Sequence, residues 1–216
     1  MTARRAAVWA LPLVLALTGC TGPAEDPASR AAAGTLADVD LPDSADQLSA
    51  LLVDDVPSGL PRVPDDDLTP PAGAKTAQDL ASYADDPDRE VQVLDDYGYR
   101  FGWERFWGRD GRQTTVFTYQ FEQADGAATY TADLAGNDAQ HYGGQLHQSP
   151  AELPEGCVEL LVERPAADLG MAGPAAFAWC NRGVFSLGVT AVSDSLDAAE
   201  AEVLAVVVEQ LDRLPA

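Results

Sequence analysis

Apolar positions along this chain change their period several times, and the changes mark the elements. Tyr97, Tyr99, Phe101, Trp103 and Trp107 recur at every second position, with Arg105 in the remaining slot. That alternation predicts a strand with these side chains on one face and Gly98, Arg100, Gly102 and Glu104 on the other. Arg109-Asp110-Gly111 is a hairpin signal, and residues 115–121 alternate again, grouping Phe117, Tyr119 and Phe121. Residues 125–135 read as a helix that Gly136-Asn137 stops. The apolar run at 158–162 suits a buried strand. Residues 176–180 and 184–192 flank Asn181-Arg182-Gly183, a second hairpin loop with glycine at the left-handed position. The last segment is the clearest helix: Asp194 or Ser195 can cap it, and Asp197, Glu200 and Glu202 sit near the positive end of its dipole. Leu196, Ala199, Val203, Val207, Leu211 and Leu214 form its apolar stripe.

Helices with a single apolar face must pack on a sheet. The predicted class is therefore α+β: a two-layer sandwich in which an antiparallel sheet carries both main helices on one face. Upstream, residues 44–56 read as a short helix with Leu48, Leu51, Leu52 and Val56 on one side, ended by Pro57 and Gly59. Residues 61–74 contain Asp65-Asp66-Asp67 and Pro70-Pro71 and read as a loop.

The first twenty residues read as an address. Arg4 and Arg5 precede an apolar run of about a dozen residues, well short of the roughly 20 that a membrane-spanning helix needs. Leu17-Thr18-Gly19-Cys20 resembles the lipobox of bacterial lipoproteins. The resemblance implies cleavage before Cys20, a diacylglyceryl thioether on its sulfur, and further acylation of the freed amine. Two or more chains hold a protein stably on a membrane, where one is marginal. Arg4-Arg5 leaves export through either the general or the twin-arginine route open. The expected organisation is a signal peptide over residues 1–19, a lipid anchor and disordered tether over 20–46, and one globular domain over 47–216. The tether expectation rests on its Ala, Gly, Pro, Ser and Asp content, which cannot bury enough surface to offset ordering entropy.

Leu51-Leu52-Val53-Asp54-Asp55-Val56-Pro57-Ser58-Gly59 resembles the opening of many actinobacterial exported domains, found as lipoproteins and as extracellular sensor domains of serine/threonine kinases. The arginine-rich usage, with Lys75 the only lysine, is similar to high-GC coding. The resemblance implies an exported, non-catalytic α+β binding domain. Leu60 stands where an aromatic commonly follows the glycine, and the kinase domains typically carry two disulfides where this chain can form one.

Charge removes whole classes of partner. Among 216 residues, 35 acids against 13 bases give a formal charge of −22. Nucleic acid requires a cationic surface, as does adsorption to anionic lipid through a basic patch, so neither is expected. Three cysteines, less the lipidated one, leave Cys157 and Cys180 as an even pair in an exported protein. Buried thiols or a redox pair are the alternatives, and no Cys-x-x-Cys spacing supports the latter; a structural disulfide is expected.

Candidate chemistry is sparse. His141 and His147, six apart across a Gly-Gly pair, match none of the usual zinc spacings and read as solvent-exposed. The acid clusters Asp54-Asp55, Asp65-Asp66-Asp67, Asp85-Asp86-Pro87-Asp88 and Asp95-Asp96 lack the alternating oxygens and central glycine of a calcium loop, and read as solvated charge. There is no Gly-x-Ser-x-Gly elbow and no phosphate-cradling glycine loop. No metal, no cofactor and no catalytic activity are expected. The feature that stands out is the first hairpin, where Arg100, Arg105, Arg109 and Arg112 gather among aromatics in an acidic chain. Its plainer reading is core; its functional reading is a surface that takes an anionic or glycan ligand by stacking and bidentate bonds, through Arg100, Trp103, Arg105, Trp107 and Arg109. Two functions follow: a lipid-anchored extracytoplasmic domain that binds a small ligand or senses it, or an accessory envelope protein that docks a partner complex; a secreted hydrolase is the less favoured alternative. An enclosed pocket between sheet and helices would favour the first, and a closed core with a flat exposed patch the second.

Overall fold

The computed structural model describes residues 40–164 and 170–215. Two hairpins form the centre. Strands β2 (Tyr99–Arg109) and β3 (Arg112–Phe121) turn through Asp110 and Gly111, both at positive φ (53° and 82°), as a two-residue hairpin turn requires. Strands β6 (Ala175–Arg182) and β7 (Phe185–Val192) turn through Gly183 and Val184, one residue later than the expected Asn181-Arg182-Gly183 loop. The hairpins join edge to edge at β3 and β7. With β1 (Gly73–Lys75), β4 (Gln145–Gln148) and β5 (Cys157–Val162) they form one antiparallel sheet, ordered β1-β2-β3-β7-β6-β5-β4.

The α+β class and the open antiparallel sheet are as the pattern predicts, but the two main helices do not share a face. Helix α5 (Leu196–Arg213) packs Ala199, Val203, Val206 and Val207 on Ala176, Ala178, Cys180, Leu187 and Val189. Helix α4 (Ala124–Tyr142) packs on the opposite side, with Ala135, Leu134 and Ala139 against Leu160, Ala175, Phe177 and Trp179. Alternate residues of β6 thus go to different helices. A strand covered on both faces reads as a continuous apolar run, and Ala175 to Cys180 is buried without a break.

Helix α4 also runs past Gly136-Asn137, and ends only at Gly143 in the left-handed conformation. A mid-helix glycine costs roughly 1 kcal/mol. Burial of Ala139 and Tyr142 beyond it outweighs that cost. The N-terminal helix is shorter than expected: α1 spans Ala45–Ser49, capped by Ser44. The segment after it cannot continue as helix because its backbone is claimed by distant side chains. Gln210 bonds Leu51 O and Val53 N, and Arg213 bonds Leu52 O. Two helices that the pattern did not mark, α2 (Ala77–Ala81) and α3 (Pro87–Asp96), lie over the β1–β2 end. Asp86 caps α3 through Arg89 N, so part of that acid cluster is a helix start. The described fold already includes Pro42, whose carbonyl accepts from the fully buried Gln120.

Candidate functional site

The aromatic stripe of β2 is divided by a bulge. Register slips between Tyr99 and Phe101, so Tyr99 turns to the α4 face beside Tyr119 and Phe121. Tyr97 precedes the strand as the C-cap of α3. Phe101, Trp103, Arg105 and Trp107 remain together on the α5 face. There, Trp107 is 1% exposed and donates its indole N–H to Asp54 O. Arg105 spends its guanidinium on Ser49 O, Leu52 O, Val53 O and the Asp54 carboxylate, at 2.6–3.2 Å. Both hold the 49–54 segment, and neither presents a free surface. Trp103 is half-buried, Arg100 lies over the Phe101 ring at 5.2 Å, and Arg109 is exposed at the hairpin end. The hairpin's ligand-binding set is therefore not assembled into one surface.

Cys157 and Cys180 are register partners on β5 and β6 and form the disulfide. Cys20 lies outside the described residues. His141 lies in the last turn of α4 and His147 on β4, and among the described residues no three His, Cys, Asp or Glu side chains gather to hold a metal.

The aromatic surface with space above it is on the other side of the sheet. A cleft of about 850 Å³ lies beside α4, reaching from Leu80, Tyr83 and Asp85 across the sheet to Tyr130, Asp138, His141 and Tyr142. A glycine lies among its lining residues. Gly188, on the central strand β7, pairs with Phe117 on one side and Trp179 on the other. A Cβ there would meet those two residues at 3.7–3.9 Å, ordinary contact distances, so the missing side chain leaves a depression between two aromatic ladders. One ladder is Trp179, Phe177 and Tyr142, with centroid spacings of 5.6 and 4.9 Å. The other is Phe106, Phe117, Tyr119 and Tyr130, spaced 5.4–6.4 Å.

A buried polar cluster sits at the β2 end. Glu104 is 2% exposed and its carboxylate accepts from Tyr119 Oη at 2.9 Å and from Tyr83 Oη at 3.3 Å. Lys75 Nζ lies 3.2 Å from it and also donates to Tyr83 Oη and Pro71 O. Burial pushes the Glu104 carboxyl above its usual range, against the opposing pull of Lys75 and the tyrosine hydroxyls. Tyr119 and Tyr130 are both driven up, first by burial and then by neighbouring acids. On the α4 bank, Asp138 is raised to about 6 by desolvation, with only His141 opposing.

Sequence reasoning missed Phe177, Trp179, Gly188 and Asp138. The readable signal was Gly188 within the apolar strand Phe185–Val192, a strand position that supplies no side chain to pack.

No family model matches the chain, and no curated protein matches it. Among solved structures, the extracellular domain of PknH from Mycobacterium tuberculosis is similar, with a TM-score of 0.46 and 12% identity, over 81% of this chain and 99% of that one.

Proposed function

We propose that this chain is a non-catalytic ligand-binding domain, exported and held at the extracytoplasmic face by lipid on Cys20, with its ligand seated in the cleft beside α4. The observation that carries the reading is the cleft itself. Its volume, about 850 Å³, falls in the range of small-molecule sites. Such sites combine an apolar, aromatic lining with a few fixed polar groups, and here the lining includes Phe117, Tyr130, Phe177 and Trp179 beside Glu104 and Asp138. Export is supported by the Cys157–Cys180 bridge, which suits an oxidising compartment, and by the lipobox-like Leu17-Thr18-Gly19-Cys20.

The test is saturable binding of the neutral apolar dye Nile red to the full chain in detergent, wild type against Gly188→Leu. The leucine side chain would occupy the depression from an ordinary strand backbone. Binding that is one-to-one in the wild type and lost in the variant is expected. Absence of binding, or equal binding in the variant, would refute the cleft. Anchoring is tested separately: Cys20→Ala should release the protein from the membrane fraction, and unchanged association would refute it.

A further inference from the structure

Aromatic walls explain why an apolar body would enter the cleft, but not the charges set around it. Asp138 is half-buried on α4, and among the described residues it accepts no hydrogen bond and has no ion-pair partner. Glu90 of α3 and Asp85 before it also line the cleft. The carboxylate of Glu104 is already matched by Lys75. Against these acids, His141 is the one lining side chain able to carry positive charge. The ring faces add to the same polarity, because an aromatic face carries the negative lobe of its quadrupole and attracts cations.

We propose that the cleft is a site for an organic cation, a protonated or quaternary ammonium carried on an apolar or aromatic body, with the cationic head set against Asp138 and the neighbouring rings. This rests on the cleft being a ligand site, and it narrows that reading to one chemical class. An anion would meet Asp85, Glu90 and Asp138 with only His141 in its favour. A neutral apolar ligand would fill the space while desolvating the Asp138 carboxylate further, which carries a penalty when the charge is left unpaired. A cation removes that penalty, and it gains more over ring faces when desolvated than it would in water. Asp138 shares the cleft with His141 and Tyr142 of its own helix, Tyr130, Glu90 from α3 and Glu104 of the sheet, whose charge Lys75 offsets, so the charges left over are acidic apart from His141. Since burial holds Asp138 partly protonated near pH 6, a cation should bind more tightly as pH rises from 5 to 7.

A matched probe series tests this on the full chain in detergent, by displacement of Nile red: benzyltrimethylammonium, its uncharged isostere neopentylbenzene, and benzenesulfonate. At pH 7 benzyltrimethylammonium is expected to bind at least about tenfold more tightly than neopentylbenzene, with benzenesulfonate weakest. Asp138→Asn should remove both the preference and its pH dependence while neopentylbenzene still binds. Equal or tighter binding of neopentylbenzene would overturn the cation assignment and leave the cleft as a ligand site, and so would a preference unchanged in Asp138→Asn. If neither Nile red nor any probe binds, the cleft reading fails with it.

Discussion

The ring of Tyr119 lies across Gly102 on the neighbouring strand: a Cβ built on that glycine would fall 2.2 Å from Tyr119 Cδ1. The two residues are register partners on β3 and β2, and the close approach lets the Tyr119 hydroxyl reach Glu104 at 2.9 Å. Gly102→Ala must move that ring or bend the strand. Overpacking of this kind costs about 1–3 kcal/mol. Urea denaturation should show that loss, and the tyrosine emission of the native protein should change with it. A stability equal to wild type would mean that the ring is not fixed there.

Lys75 and Glu104 are 3% and 2% exposed, so neither charge can be left alone. Lys75→Met strands a buried carboxylate, at about 3–5 kcal/mol near neutral pH. The sign with pH follows from Glu104, whose folded value is already raised by burial and rises further without its partner. A carboxyl raised in the folded state loses stability as pH climbs from its unfolded value, so the variant should recover on acidification. Adding Glu104→Gln should restore much of the loss at pH 7. Thermal melts at pH 4 and pH 7 check both statements.

Arg105 is a structural residue rather than a ligand contact. Arg105→Met leaves the carbonyls of Ser49, Leu52 and Val53 without this donor, and should cost about 3 kcal/mol. Lysine should not rescue it, since one ammonium cannot reproduce a guanidinium fork spread over several acceptors. Chemical denaturation reads the stability, and Nile red affinity of the folded variant should equal that of wild type.

Asp138 sets binding against stability. Its folded value of about 6 lies above an ordinary aspartate, so its cost to the fold grows as pH rises from about 4 and is fully present above 6. Asp138→Asn should stabilise the protein by about 1–2 kcal/mol at pH 7, allowing for partial exposure, and leave it unchanged at pH 4. Differential scanning calorimetry across that interval is the check.

The central hairpins and α5 were legible because alternation and the capped apolar stripe each answer to a single physical demand, burial of one face. The 44–56 segment was not, because its non-helical path depends on Arg105, Gln210 and Arg213, up to 161 positions away in sequence. Gly136-Asn137 misled for a related reason: local propensity argued for a stop, and contacts of Ala139 and Tyr142 with the sheet carried the helix on. The aromatic stripe was misread because period-two reading does not detect a bulge. One slipped residue near Arg100 sent Tyr99 to one face and Trp103 to the other. The aromatic surface that lines a space is assembled from β2, β3, β6 and α4, and no single stretch of sequence displays it.

Tryptophan positions separate the two candidate sites. Trp103 and Trp107 belong to the hairpin on the α5 face, and Trp179 floors the cleft on the α4 face. With fluorine-labelled tryptophan in the full chain, each indole assigned by a Trp→Phe variant, Nile red titration can be followed by fluorine NMR at every ring. Movement of the Trp179 resonance, with Trp103 and Trp107 stationary, is the expected result. Movement of Trp103 while Trp179 stays fixed would place the ligand on the hairpin and contradict the cleft.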